Sequence, residues 1–183
     1  MGWVSRLPQQ NAENVNYNDE YYRLRLRSLQ AIDDMIDGVF SRLDDYGMLN
    51  NTYVVYTSDN GYHIGQHRMQ PGKACSYEED INVPMFIRGP GVPKNKTSDL
   101  VTTHTDLVPT FFNMAGIPLH SDFDGKVIPL TETSMRSEQH KRHEHVNVEY
   151  WGDKLSEGVY GVLVNNGSKE NSPSKFPLLI KSS

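Results

Sequence analysis

Apolar residues recur every three or four positions along one stretch of the chain, which predicts an amphipathic helix. The residues that form this stripe are Leu29, Ile32, Ile36, Val39, Phe40 and Leu43. Asn18 or Asp19 can cap the helix at its start, and Gly47 ends it just after Tyr46. We expect its apolar face to pack on a sheet, and we expect the polar, aperiodic residues 1–18 to form an irregular segment before it.

Two apolar runs farther along the chain predict strands. Thr52–Thr57 is rich in β-branched and aromatic residues, and Ile81–Arg88 ends at a Gly-Pro-Gly turn. The first of these strands, which we expect to be buried, ends abruptly in the polar turn Thr57-Ser58-Asp59-Asn60-Gly61. In open α/β sheets, ligands bind beyond the carboxyl ends of strands, so this turn lies where a ligand is expected.

A second helix and a weaker C-terminal pattern follow. The candidate caps of this helix have oxygen-bearing side chains and are Thr103, Thr105 and Asp106. The helix ends at Gly116, and residues 146–151 alternate in the manner of a strand. We expect residues 162–183, which hold little to bury, to form a loop or a disordered tail. The order of helix, strand, strand and helix predicts a layered α/β fold.

Composition excludes two classes of partner. The 183 residues include 18 basic and 23 acidic side chains, for a net charge of -5, and the basic residues form no long run, so nothing supports nucleic-acid binding. No apolar run approaches the length needed to span a membrane, so we expect no membrane partner. No feature of the sequence indicates an oligomeric state.

Sequence marks indicate passage through the secretory pathway. Three triplets fit the Asn-x-Ser/Thr glycosylation pattern, beginning at Asn50, Asn95 and Asn166, although such triplets also arise by chance. The lone cysteine, Cys75, excludes an internal disulfide and has no reactive context around it. We expect a secreted or lysosome-like location, with a signal peptide upstream of this chain.

Asp59 and Asn60 offer a carboxylate and an amide oxygen on adjacent residues. Such hard oxygen ligands suit calcium, or magnesium, better than zinc or copper. Ser-Asp-Asn-Gly is also an ordinary turn, and calcium takes about six to eight oxygen ligands, so others must come from elsewhere. A second pair of carboxylates, Asp33 and Asp34, lies within the predicted helix, where adjacent positions diverge, and we interpret it as solvated.

Lys73 follows a Pro-Gly pair in the loop after Asn60, and its ammonium could contact a sulfate or phosphate oxygen. His63 and His67 lie in the same loop and could donate to such an anion or carry protons. The alternative for each histidine is a structural hydrogen bond or a place on the surface.

Longer motifs surround these residues. They are the run 51–67 that contains Thr-Ser-Asp-Asn-Gly-Tyr-His-Ile-Gly, the run 71–73 of Pro-Gly-Lys, the run 77–91 that begins Tyr-Glu-Glu-Asp, and the run 105–117 that begins Thr-Asp-Leu-Val-Pro-Thr. Together they resemble the type I sulfatases of the arylsulfatase and N-acetylglucosamine-6-sulfatase kind. The resemblance covers Asp19 to Leu130, is thinner through 146–152 and fades after Gly161, so 19–161 is interpreted as the C-terminal portion of a sulfatase catalytic domain.

The resemblance implies an alkaline-phosphatase-like α/β fold, here incomplete, with a mixed sheet flanked by helices. It also implies hydrolysis of sulfate esters, on a small molecule or a glycan, by a formylglycine nucleophile aided by one calcium ion. Asp59 and Asn60 match the family's later pair of metal ligands, and Lys73 matches its later sulfate-binding lysine. His63 is a weaker candidate for the catalytic set.

The formylglycine is made from a cysteine in a Cys-x-Pro/Ala-x-Arg cassette, and the 183 residues contain no such cassette. We expect it upstream, and we expect this chain alone to be inactive. Two alternatives stay open: a phosphodiesterase or phosphonate hydrolase of the same superfamily, and a non-catalytic remnant. The amide of Asn60 counts against the first, because those enzymes typically place Asp-His at this point for zinc or manganese.

Overall fold

The computed structural model describes residues 3–73, 77–138, 147–150 and 163–166. Its helices are α1 (Ala12–Asp45), α2 (Glu78–Ile81), α3 (Leu107–Met114) and α4 (Glu132–Glu138), and its strands are β1 (Val54–Tyr56), β2 (Phe86–Arg88), β3 (Asn147–Tyr150) and β4 (Leu163–Asn166). Short 3-10 helices lie at Trp3–Arg6, Leu49–Asn51, Gln66–Arg68 and His104–Asp106. The chain forms two compact units, one from residues 1–50 and 60–83 and the other from 51–59 and 84–183.

Helix α1 is the main element of the first unit, and it begins earlier than predicted. The side chain of Asn11 accepts a hydrogen bond of 2.9 Å from the backbone N–H of Asn14, which caps the helix before Ala12. The prediction of an irregular segment up to residue 18 was therefore wrong for residues 12–18. These residues show no apolar periodicity, but the cap at Asn11 starts the helix before them. The predicted end is confirmed: Gly47 has a φ of 64° and donates to the carbonyl of Asp44.

The apolar stripe of α1 is only half-buried. Its partly covered members are Ile32, Ile36, Phe40 and Leu43. Leu29 and Val39 are 39% and 46% exposed, and the helix buries a single residue, the polar Asn18. The prediction that this face packs on a sheet was therefore wrong for the described residues, since none of its apolar side chains is buried. Asp33 and Asp34 are both exposed, as expected of a solvated pair.

In the second unit, β1 and β2 form an antiparallel pair. Val55 lies opposite Ile87, and Ile87 joins Ile128 and Leu130 in the buried core of this unit. Strand β1 is less buried than predicted, since Tyr56 is 37% exposed. The predicted strand Ile81–Arg88 shortens to Phe86–Arg88.

Helix α3 confirms its predicted limits. The 3-10 helix His104–Asp106 leads directly into α3, and Thr103 and Asp106 form a capping box at its start, in which the backbone N–H of Thr103 donates to the Asp106 carboxylate over 3.0 Å. Gly116 follows the helix with a φ of 68°. Thr110, which has no exposed surface, donates to the carbonyl of Asp106 and accepts from the backbone N–H of Ile128 over 2.8 Å. These bonds attach α3 to the segment around Ile128, which contributes Ile128 and Leu130 to the core.

Strands β3 and β4 pair antiparallel, with Asn147 opposite Asn166 and Tyr150 opposite Leu163. The strand predicted at 146–151 is confirmed over Asn147–Tyr150. The tail predicted at 162–183 was wrong for Leu163–Asn166, where Val164 and its neighbours find a partner strand. Residues 167–183 and Cys75 lie outside the described residues. Across all described residues the chain is α/β in character, and no described helix combines the length and apolar character needed to cross a membrane.

Candidate functional site

The Asp59–Asn60 turn follows β1 directly. Asp59 is exposed and belongs to the second unit, whereas Asn60 is half-buried and belongs to the first. In the second unit, the ring N–H at Nε2 of His104 contacts the carbonyl oxygen of Ser58 at 2.8 Å, which fixes the backbone just before Asp59. His104 was not among the predicted site residues, and its position 46 residues later in the chain gave no local signal.

Lys73 and Asn60 lie together in the first unit. The Lys73 ammonium Nζ donates to the Asn60 side-chain oxygen Oδ1 over 3.3 Å, and this hydrogen bond is exposed to solvent. The Asn60 amide Nδ2 donates to the carbonyl oxygen of Gly61 over 2.7 Å, which orients Oδ1 toward the lysine. Two of the predicted site residues are thus in contact, although they are 13 positions apart in the chain.

His63 lies elsewhere in the same unit, buried against a carboxylate. Its ring nitrogen Nδ1 is 2.8 and 2.9 Å from the two carboxylate oxygens of Asp80, and the two residues are 5% and 3% exposed. This is the structural hydrogen bond that the sequence left open as the alternative for His63, and a catalytic role for it stays a prediction. Asp80 was missed, because a pairing across 17 residues leaves no pattern in the sequence.

Backbone hydrogen bonds connect three segments around this pair. Gly61 N–H donates to the carbonyl of Asp80 over 2.8 Å, and Tyr62 N–H donates to that of Glu79 over 2.7 Å. His63 and Gly72 exchange both of their backbone hydrogen bonds, at 2.9 and 3.0 Å. The segment from Gly61 to His63 therefore hydrogen-bonds on both sides, and the residues next to Asn60 and Lys73 are held by these bonds.

His67 occupies a different environment from His63. It is 39% exposed at its side chain, its ring stacks on Tyr77 with 3.9 Å between centroids, and Nε2 is 3.4 Å from a Glu79 carboxylate oxygen. His67 and Arg68 have φ angles of 55° and 65°, a conformation that costs energy for residues other than glycine. The ring stacking on Tyr77 and the contact with Glu79 accompany this conformation.

Tyr62 extends the loop toward α1. Its phenol oxygen is 2.9 Å from that of Tyr21, and the two rings stack with centroids 5.8 Å apart. The hydrogen bond with Tyr21 raises the pKa of the Tyr62 phenol above its ordinary value of 10.0, and burial acts in the same direction.

The donor groups present fit a hard cation only in part. Among the described residues, no cluster of three or more His, Cys, Asp or Glu side chains could hold a metal ion. Asp59 and Asn60 supply one carboxylate and one amide oxygen on adjacent residues, which is the chemistry that calcium prefers. Two such residues are fewer than the ligands a calcium ion needs, so the fit is that of a partial site.

The predicted glycosylation sites lie on turns and edges. Asn50 is exposed in the 3-10 helix before β1, and Asn95 is exposed in a turn where its φ is 50°. Asn166 is the last residue of β4. The structure thus leaves Asn50 and Asn95 accessible to modification.

Comparison with known proteins gives one consistent family. The family model described as Sulfatase matches residues 3–117, which include the Asp59–Asn60 turn and Lys73. The sulfatase ppz1 of Metarhizium majus is 50% identical over 131 residues, covering 71% of this chain and 31% of that protein. The human N-acetylglucosamine-6-sulfatase is 40% identical over 122 residues, covering 66% of this chain and 22% of that protein.

A solved structure shares the fold. It was determined in complex with its substrate, D-glucosamine-2-N,6-O-disulfate, and matches with a TM-score of 0.70 and 26% identity over 85% of this chain and 32% of that one. The chain therefore spans between about a fifth and a third of the length of these three proteins.

Proposed function

Because the chain belongs to the sulfatase family, we propose that it supplies part of the active site of a sulfuric ester hydrolase with an alkaline-phosphatase-like fold. The observation that carries the proposal is the 3.3 Å contact between Lys73 Nζ and Asn60 Oδ1. It joins the lysine that the family pattern assigns to sulfate with the amide that the pattern assigns to the metal. Both lie within the segment that the family model matches.

Lys73 is the proposed sulfate-binding cation. Its ammonium is exposed and already within hydrogen-bond distance of a neutral oxygen, so a sulfate oxygen could take the place of Asn60 Oδ1 without large movement of the backbone. A fixed cation stabilises the negative charge that develops on the sulfate oxygens as the ester bond breaks. An ammonium acts here as a point charge that tolerates several sulfate orientations.

Asp59 and Asn60 are the proposed metal ligands within this chain. Their carboxylate and amide oxygens suit calcium, with magnesium as the alternative, and the amide argues against a zinc or manganese phosphodiesterase. A bound calcium ion would supply further positive charge at the sulfate oxygens. Asp59 is an exposed residue at the end of β1.

The nucleophile comes from outside these 183 residues. The lone cysteine, Cys75, is followed by Ser, Tyr, Glu and Glu rather than by the Pro/Ala and Arg of the formylglycine cassette. We propose that a formylglycine from another segment completes the site, and that the chain by itself does not turn over sulfate esters.

The proposed substrate is a sulfated sugar. One relative is named for N-acetylglucosamine-6-sulfate, and one similar structure holds a disulfated glucosamine. Passage through the secretory pathway fits such a substrate, and the exposed Asn50 and Asn95 are its proposed glycosylation sites.

Hydrolysis assays on two proteins test the function. The 183-residue chain with added calcium should release no product from an aryl sulfate or from glucosamine-6-sulfate. A longer protein that joins this chain to a segment with the Cys-x-Pro/Ala-x-Arg cassette should hydrolyse a sulfate ester and lose that activity on calcium chelation. Hydrolysis of an aryl phosphate diester in preference to the sulfates would overturn the proposal.

A further inference from the structure

The buried pair of His63 and Asp80 has no part in the function proposed above. We propose that this pair is a positioning device, which sets the separation between Asn60 and Lys73 and so the geometry offered to a sulfate. The inference rests on the proposed function for the roles of Asn60 and Lys73. All of these residues lie within the first unit.

His63 holds the backbone of the segment that carries Lys73. His63 and Gly72 exchange backbone hydrogen bonds of 2.9 and 3.0 Å, and Lys73 follows Gly72 directly. A Cβ placed on Gly72 would lie 3.1 Å from His63 Nε2, so the imidazole packs closely against the backbone there. Any shift of the His63 ring is therefore transmitted to the residue before Lys73.

Asp80 holds the backbone of the segment that carries Asn60. The Asp80 carbonyl accepts from Gly61 N–H over 2.8 Å, and Asn60 precedes Gly61 directly. A Cβ on Gly61 would lie 2.0 Å from the carbonyl oxygen of Glu79, so these two backbones are in the closest contact that glycine allows. Asn60 cannot move away from the Asp80 segment without breaking this contact.

The contact between the two side chains connects the two segments. Nδ1 of His63 reaches both oxygens of the Asp80 carboxylate, and both side chains are almost fully excluded from water. A buried carboxylate needs its partner, so removing either group forces the other toward solvent and separates the segments that carry them. The expected result is loss of the contact between Lys73 and Asn60, which are held only one residue beyond these backbone bonds.

The matched control is already present in the same unit. His67 also faces a carboxylate, that of Glu79 at 3.4 Å, but the two side chains are 39% and 30% exposed and the contact is longer than the 2.8 Å one between His63 and Asp80. Partly exposed pairs of this kind contribute little to stability, so His67→Gln should leave the positions of Asn60 and Lys73 unchanged. The comparison separates a buried positioning pair from a histidine–carboxylate pair in general.

The test is nuclear magnetic resonance on the whole 183-residue chain. Wild-type protein and His67→Gln should both show a nuclear Overhauser contact between the Lys73 side chain and the Asn60 side-chain amide. His63→Leu should lose this contact while the amide signals of Thr110 and Ile128 keep their positions, and His63→Asn, which retains a donor near Nδ1, should restore part of it. A purely structural role would disturb the fold without this selective loss.

Persistence of the Lys73–Asn60 contact in a folded His63→Leu protein would overturn the inference. Should His63→Leu fail to fold, His63→Asn carries the test, and unfolding of both variants would also overturn it, because the pair would then serve global stability. The readout uses no turnover. Absence of sulfatase activity in the longer protein would therefore count against the proposed function and leave the positioning result as it stands.

Discussion

Replacement of Gly61 by alanine tests the close backbone contact between Gly61 and the Glu79–Asp80 segment, which holds Asn60 in place. A Cβ at this position would lie 2.0 Å from the carbonyl oxygen of Glu79 and 2.8 Å from its carbonyl carbon. Both neighbours are backbone atoms, which cannot rotate away as a flexible side chain could. The two segments must therefore separate before alanine can be accommodated.

The expected cost follows from what that separation breaks. The N–H groups of Gly61 and Tyr62 donate to the carbonyls of Asp80 and Glu79, and loss of both bonds costs about 1–3 kcal/mol in total. The strain of forcing an added methyl into a packed contact adds about 1–3 kcal/mol. We expect Gly61→Ala to lower the free energy of unfolding by about 2–6 kcal/mol, a large part of the stability of a typical domain.

Urea unfolding followed by circular dichroism measures this difference. The matched control is Gly38→Ala in α1, where a Cβ meets nothing within 4 Å and where alanine should raise helix stability by about 1 kcal/mol. Opposite signs for the two alanine substitutions are the predicted result. An unfolding free energy for Gly61→Ala within about 0.5 kcal/mol of the wild type would refute the close contact.

Three further changes have definite expected outcomes. Thr110→Val removes the acceptor of the buried Ile128 N–H and should cost about 1–3 kcal/mol in urea unfolding, so unchanged stability would count against that hydrogen bond. Lys73→Met removes a positive charge beside the proposed metal ligand and should tighten calcium binding by about fivefold in calorimetry, whereas weaker binding would contradict the proposed arrangement. Tyr21→Phe should lower the pKa of Tyr62 toward 10.0 in an absorbance titration, and a Tyr62 pKa that stays raised would exclude the hydrogen bond as its cause. The raised pKa stabilises the fold fully below about pH 10, and this contribution is lost as the pH rises through the shifted value.

Local patterns in the sequence predicted those elements whose causes are local. The turn after β1, the cap candidates Thr103 and Asp106, and the glycine stops at Gly47 and Gly116 all depend on neighbouring residues, and the structure has them where the pattern indicated. The strand at Asn147–Tyr150 was also predicted from alternation. The family resemblance extended this to the fold of the chain.

Boundaries failed where a polar interaction or a distant partner decides the structure. The start of α1 depends on the side chain of Asn11, which has no apolar pattern around it. Residues 78–81 form a short helix rather than the start of a strand, and its first turn carries Glu78 and Glu79, whose carboxylates favour a helix N-terminus. Pro84 then lacks the N–H that a strand ladder requires, which leaves β2 to begin at Phe86.

The candidate site was only partly predictable. Motif similarity singled out Asp59, Asn60 and Lys73, and the last two are in contact in the structure. Asp80 and His104 act through tertiary contacts across 17 and 46 residues, for which no local period exists. The sequence therefore indicated the candidate ligands and the candidate sulfate-binding lysine, but not Asp80 and His104, which contact the segments that carry them.

Hydrolysis of a sulfate ester by a longer protein that carries this chain and a formylglycine cassette tests the central claim most directly. Lys73→Ala should lower kcat/KM by about a hundredfold or more, since it removes a donor to the charge that develops on sulfate. Lys94→Ala, at an exposed turn position away from the Asp59–Asn60 turn in sequence, should leave the rate unchanged. Equal rates for Lys73→Ala and the wild type would contradict the assignment of this chain to a sulfate-ester site.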